Sequence, residues 1–348
     1  MAVPEELTQL RQELASTLRR AEKNRRIIRA TRTPIYLIAA LWMIFVLAGT
    51  FAGGIFLPAD QGAAAGSLMQ WILPAFILLM ILQFVFRQAY ASFAQQERNV
   101  LSKLIENLFP EAKFHATAHD VPASVFRNSL FFPGFRSAAV FASLDIETGN
   151  GRRLNVADIG LFYGQDSPAG AGGWAAVYKK SVFKPLFSSR ADRALYDFRG
   201  MFAWAQLNRR VPGSVVILPD RLEDRLGYLA KSIQNLKNTG DRKLVLLEDP
   251  EFERRFAVYA TDEVLARYIL TPALMRDLTR LKERYGRDMM VSFNADKVCF
   301  AVPMPDGFLS LRSDALDDGR IVEEIYRDID TTRSILAELR LENAVEKE

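Results

Sequence analysis

PIYLIAALWMIFVLAGTFAGGIFL, residues Pro34–Leu57, contains no charged side chain. A bilayer core of roughly 30 Å is crossed by about 20 apolar helical residues. A second run, Ser67–Phe86 (SLMQWILPAFILLMILQFVF), has only Gln70 and Gln83 as strongly polar members. The short segment between them has room only for a tight turn. The pair therefore predicts a transmembrane helical hairpin over 34–86, spanning about 34–57 and 67–86. A buried hairpin in a soluble core is the competing reading.

Working outward, residues 1–33 read as a basic amphipathic helix. Leu7, Leu10, Leu14 and Leu18 recur at helical spacing, while Arg19, Arg20, Lys23, Arg25, Arg26, Arg29 and Arg32 crowd toward the apolar run. The loop between the runs carries Asp60 and no Lys or Arg, whereas Arg87, Arg98 and Lys103 follow the second run. Positive flanks stay in the cytoplasm. The expectation is a multi-pass protein of the bacterial inner membrane, with an uncleaved anchor and both termini cytoplasmic. Residues 87–108 continue the second helix into water, with Phe93, Val100, Leu101, Leu104 and Ile105 on one face and Pro110 as the stop. The apolar stripes of the two flanking helices could pack together as a short stalk, fold back on the domain, or serve self-association or a protein partner, and the basic flank suits a lipid surface.

The totals fit this division. The 348 residues carry a net charge of +4 and a single cysteine, and the mean hydropathy is 0.00 with a pI near 9.1. A charge balance this mild does not argue for nucleic acid, and one cysteine excludes an intrachain disulfide. Because the membrane runs are so apolar, residues 109–348 must form a fairly polar body long enough to bury its own core.

That body mixes short strands and capped helices. Strands are predicted at 138–146, 153–163, 193–207, 214–218, 243–247 and 257–259. Helices are predicted at 220–238, 262–268, 272–286 and 319–341, and a hairpin at 288–302 turns around Asn294-Ala295-Asp296. Asp249-Pro250 and Thr271-Pro272 each place a capping residue before a proline at the first helical position. Without regular βαβ alternation the class is α+β, not doubly wound α/β.

LEDPEFERRFAVYATDEVLARYILTPALM, residues 247–275, resembles the signature of a bacterial family of uncharacterised membrane proteins with two membrane helices and a cytosolic domain of unknown function. Asn128-Ser129-Leu130-Phe131, Phe198-Arg199-Gly200, Leu218-Pro219-Asp220 and Ser292-Phe293 also fit, and the resemblance covers about 95–340. Residues 135–165 and the end, Leu339–Glu348, depart from the family pattern. The resemblance implies architecture and topology, and no catalytic residues.

Few residues suggest chemistry. Gly170, Gly172 and Gly173 precede Lys179, Lys180 and Lys184, a pattern able to hold phosphate but lacking the Gly-Lys-Ser/Thr ending of a P-loop. His115 and His119 are four apart, but zinc needs further ligands, so an exposed linker and no metal site is expected. Cys299 reads as a buried strand residue. The acidic block Glu248, Asp249, Glu251, Glu253, Asp262 and Glu263 reads mainly as caps and first-turn carboxylates. Arg267, in an apolar setting, is expected to be buried or half-buried and to form a structural ion pair with Asp262 or Glu263. No catalytic set and no cofactor is expected. The function favoured by sequence is a membrane-anchored cytosolic binding or scaffold protein. The alternative is a membrane-associated enzyme acting on a lipid or a phosphorylated ligand through the glycine–lysine loop.

Overall fold

The computed structural model describes residues 5–55, 61–116, 121–132, 134–147, 153–162, 196–207, 210–220, 242–311, 316 and 319–338. Two long helices lead the chain. α1 runs Glu5–Ile55 over 51 residues and α2 runs Gln61–Leu108 over 48 residues. At 1.5 Å per residue each is more than about 70 Å long. Residues 5–33 of the basic lead and 34–55 of the first apolar run are thus one helix, as are the second run and its continuation. Pro34 and Pro74 lie inside these helices. The helices pack side by side, with Ile35 and Phe86 buried against Ile28, Leu79 and Leu82.

The remaining elements in chain order are β1 (Ala112–His115), α3 (Ala123–Asn128), β2 (Ser137–Glu147), β3 (Arg153–Phe162), β4 (Phe198–Gln206), β5 (Ser214–Pro219), β6 (Lys243–Val245), α4 (Pro250–Glu253), β7 (Phe256–Ala260), α5 (Glu263–Ile269), α6 (Pro272–Tyr285), β8 (Met290–Asn294), β9 (Lys297–Pro303) and α7 (Arg320–Glu338). The strands form one antiparallel sheet in the order β1-β2-β3-β4-β9-β8-β5-β7-β6. The class is α+β, with a large antiparallel sheet. The helix expected at 220–238 lies outside the described residues.

Local chemistry accounts for the boundaries. The Asp249 carboxylate accepts from the N–H groups of Glu251 and Phe252 at 2.9 and 3.1 Å, with Pro250 opening α4. Asp262 accepts from Val264 N–H at 3.1 Å to start α5. Thr271 caps α6, which ends on Gly286 at φ 59°. That left-handed conformation favours glycine.

Both faces of the sheet are covered. One face places Val156, Met201, Ala203, Val215, Ile217, Val258, Val291, Phe300 and Val302 against helices. The same core contains Leu7, Leu10, Leu14, Leu18 and Ala21 of α1 and Val100, Leu101, Leu104, Ile105 and Phe109 of α2's end. The other face packs Ala157, Ile159, Phe198, Phe202 and Cys299 against Val125, Phe126, Phe131 and Phe132. β9 shows the alternation directly, since Val298 and Phe300 join the first core while Cys299 and Ala301 join the second.

The sequence-level boundary between the juxtamembrane helices and a domain at 109–348 therefore cuts through a shared core. The leucine stripe of α1 and the apolar face of lower α2 are not left free for self-association, because they are buried against the chain's own sheet. Farther up, the exposure reverses. Leu37, Ile77, Leu78, Met80, Ile81, Phe84 and Val85 are all exposed, Phe84 to 68%. Among the described residues, one helical stretch, Ile77–Leu108, is long and apolar enough to cross a membrane.

Candidate functional site: the junction of stem and sheet

The charged residues most deeply enclosed in the described chain meet where the stem helices join the sheet. Alternation along β3 puts Asp158 on the same side as Leu154 and Val156, facing the stem, and the residue is fully buried. Arg199 on the neighbouring strand β4 shares that side with Met201 and Ala203. Its Nη2 donates to Asp158 Oδ2 at 3.0 Å, and the Arg199 side chain is only 8% exposed. A buried charge is tolerable when paired in this way. The Phe141 ring lies over the guanidinium, 3.3 Å from Cζ to the ring centroid, adding a cation–π contact. Tyr196 meets Phe141 edge-on at 5.6 Å and lies on Gly160, where a Cβ would fall 2.7 Å from the ring.

Residues 304–311, the described start of the connection from β9 to α7, close over this pair as a strap. Gly307 sits at φ +89°, and a Cβ there would come within 2.9 Å of Arg199 Nη2 and 3.1 Å of Asp158 Oδ2. Glycine is thus required twice at this position, for its backbone conformation and for the close approach. Ser310 donates to Asp306 O at 2.7 Å and holds the strap's turn.

Both stem helices grip this connection. The Glu97 carboxylate of α2 accepts from Leu311 N–H at 2.7 Å. The Glu22 carboxylate of α1 accepts from Leu316 N–H at 3.4 Å and pairs with Arg25 at 2.5 Å. Asn24 donates to Gln96 Oε1 at 3.2 Å, setting α1 and α2 level at this point. Lower down, Arg11 pairs with Glu323 of α7 at 3.2 Å. Glu97 is half-buried as a residue. The protein packed around its carboxyl raises its pKa to about 7, with Asp158 adding to the rise, while the Leu311 N–H, Arg199 and Arg98 oppose it.

The positions singled out from sequence behave differently. Gly170, Gly172, Gly173, Lys179, Lys180 and Lys184 lie outside the described residues, as does His119. His115 sits in β1 with Nε2 3.2 Å from Asp145 Oδ2, so it belongs to a strand and not to an exposed linker. Among the described residues no group of three or more His, Cys, Asp or Glu is placed to hold a metal ion. Cys299 is buried, and burial pushes its thiol up to about 12, which suppresses the reactive thiolate.

Arg267 forms the expected pair with Glu263, and its expected burial requires a correction. It pairs with Glu263 at 2.9 Å and Glu248 at 3.5 Å and donates to Leu246 O at 3.0 Å, but its side chain is 42% exposed. It is a surface pair at the sheet's outer edge, because α5 turns Ala266 inward and leaves Val264 and Tyr268 outside. Asp262 does not join the pair and serves as the α5 cap. Of the remaining acidic block, Glu253 accepts from Leu247 N–H at 2.6 Å and Glu251 pairs with Arg255 at 3.4 Å.

Sequence reasoning passed over Asp158, Arg199 and Glu97. A signal existed for two of them. Asp158 interrupts the apolar strand VADIGL, and Arg199 interrupts FRGMFAW. A lone charge inside such a strand needs a buried partner. Glu97, in QQERN, carries no such mark.

Among solved structures, the chain shows a slight likeness to the crystal structure of the mycobacterial trehalose monomycolate transport factor A, TtfA. That match has a TM-score of 0.32 and 9% identity, covering 70% of this chain and 95% of that one, a level that carries no argument. No curated protein matches the chain. Residues 196–341 match the model of a family described as a protein of unknown function, DUF3137. The match begins beside Arg199 and takes in the strap and α7, so the second half of this chain is similar to an uncharacterised-domain family.

Proposed function

We propose that the protein is a membrane-anchored scaffold, holding a cytosolic binding surface at the inner face of the bacterial cytoplasmic membrane. The upper halves of α1 and α2 form a transmembrane hairpin, and both termini stay in the cytoplasm. One observation carries this reading: the same two helices bury their apolar faces in the sheet core below and expose Leu37, Ile77, Leu78, Met80, Ile81, Phe84 and Val85 above. Exposed apolar side chains in such number mark contact with lipid or another apolar surface. Charge supports the orientation, since Lys and Arg flank the hairpin and avoid its turn. A tether fits this anchor better than a conduit does, because its apolar runs carry no ionisable residue to define a pathway. The enzyme reading rests on the glycine–lysine loop, Gly170 to Lys184, which lies outside the described residues.

Reporter fusions test the topology. A fusion at Gly62 is expected to be active in the periplasm and one at Glu348 only in the cytoplasm. A periplasmic C-terminus would overturn the arrangement. For the function, in-cell cross-linking of the full chain is expected to recover the same partner from wild type and from the Lys179→Ala, Lys180→Ala, Lys184→Ala triple variant. Turnover of a phosphorylated metabolite or lipid by the wild type, lost in the triple variant, would replace the scaffold with an enzyme.

A further inference from the structure

The stem changes its surface charge between the sheet and the exposed apolar band. Two contacts fix the register of the helices there: Ile35 packs with Phe86, and Asn24 donates to Gln96. Arg87 therefore stands just below the level of Ile35. In this stretch, residues 22–31 of α1 and 84–96 of α2, the sequence sets five cations, Lys23, Arg25, Arg26, Arg29 and Arg87, against one carboxylate, Glu22. The fold then sorts them. Glu22 is turned inward at 5% exposure and takes Arg25 with it, while Lys23, Arg26, Arg29 and Arg87 lie exposed. Arg26 reaches back to Glu22 at 3.1 Å yet keeps 68% of its side chain in solvent.

The charge left outside is thus of one sign among the described residues. Lys23, Arg26 and Arg29, three apart, step around α1 by about 60° each, and Arg87 adds the second helix. The four make a collar around the stem and not a stripe along it. Directly above the collar stand Leu37, Phe84 and Val85, all exposed. Tyr90, at the collar's level, is 38% exposed and stacks on Phe86 at 6.3 Å. An aromatic ring with a polar tip suits the edge of a bilayer.

We propose that this collar binds anionic phospholipid headgroups and sets the height of the sheet below the membrane. The inference rests on the membrane reading above and adds the class of lipid. With the Ile35–Phe86 level as the hydrocarbon boundary, Arg29 lies about 9 Å and Lys23 about 18 Å below it. A headgroup layer is about 5–8 Å thick. Arg87 falls inside it, Arg29 reaches it by extending its side chain, and Arg26 and Lys23 lie within about a Debye length of its outer face. Guanidinium groups pair with phosphodiester oxygens, and a headgroup ammonium would oppose them. Nucleic acid would answer the same charge but not the apolar band that adjoins it. Arg19 and Arg20 are also exposed but stand lower, beside the core residues Leu18 and Ala21.

The test uses the full chain in mixed phosphatidylglycerol and phosphatidylcholine vesicles, with bromine on the acyl chains of one lipid at a time. Bromine quenches Trp42 and Trp71 of the apolar runs, so the two experiments give the ratio of the lipids around the stem. A Lys or Arg near the surface is worth about fivefold in such a ratio. Phosphatidylglycerol is expected to be preferred at least about fivefold by the wild type and by Arg19→Gln/Arg20→Gln. In Lys23→Gln/Arg29→Gln/Arg87→Gln the preference should drop below about twofold. Equal quenching by both lipids in the wild type would leave the collar a topology signal only and overturns the inference alone. An undiminished preference in the triple variant overturns it as well. Quenching by neither lipid would remove the membrane reading and the inference together. If the triple variant does not fold, salt decides: the wild-type preference must vanish in 1 M NaCl, where the Debye length is about 3 Å, and a preference that survives overturns the collar.

Discussion

The lower and upper halves of the stem belong to the same two helices and have opposite surfaces. Below, Leu14 is 1% exposed and Leu104 fully buried, both inside the sheet's core. Above, Phe84 is 68% and Ile81 55% exposed. Similar residue types therefore do different work in the two halves. Helical periodicity gives each half an apolar surface, but only the lower one meets a sheet. The difference teaches that the stem is not an appendage to a finished domain. Each stem helix is part core and part candidate membrane span, without a break between them.

The comparison is most severely tested by cutting the chain at residue 109. The fragment 109–348 is expected to show no cooperative unfolding, because it lacks Leu7, Leu10, Leu14, Leu18, Val100, Leu101, Leu104 and Ile105 from its core. Each buried leucine contributes on the order of 1.5–3 kcal/mol, and a domain's whole stability is about 5–15 kcal/mol. Residues 5–33 joined by a short glycine–serine linker to 87–348 should unfold cooperatively in urea. A cooperative transition in the first fragment would show that the lower stem is only docked on the sheet.

Single substitutions sharpen the contrast. Leu104→Ala, in the lower half, is expected to lower the stability of the sheet and lower stem by about 2–5 kcal/mol. Phe84→Ala, in the upper half, should leave the same urea midpoint within about 0.5 kcal/mol. Equal losses would mean that the upper stem is packed against protein.

The smallest expected effect lies at the far edge of the sheet. Arg267→Ala should cost no more than about 1 kcal/mol in thermal melts, as for exposed ion pairs. A buried pair would have cost about 3–5 kcal/mol, and a loss of that size would mean that Arg267 is enclosed by a contact not seen in the fold.

Much of this architecture was legible in the residues. Asp249-Pro250 and Thr271-Pro272 marked helix starts because capping satisfies orphan N–H groups through purely local geometry. The alternation of Cys299 with Ala301 against Val298 with Phe300 gave the two faces of β9 for the same reason. The acidic block near residue 250 was read as structural because its spacing already matched caps and first turns. The pairing of Arg267 with Glu263 was legible, but its burial was misjudged, because apolar neighbours in sequence do not fix which side of a short helix faces out.

What the sequence determined alone is what depends on near neighbours along the chain: two apolar runs of membrane length, the charge asymmetry around them, the α+β class and the helix caps. The tertiary structure decided the rest. It showed that the leucine stripe of α1 is spent on the sheet, and that Asp158 and Arg199 form one buried pair. It also showed that Glu97 reaches a strap more than two hundred residues later, at Leu311. The physical reason is separation along the chain. A cap or a strand alternation is settled within a few residues, whereas a buried charge declares its need for a partner without naming it, and the partner is chosen when distant strands and helices close on one another.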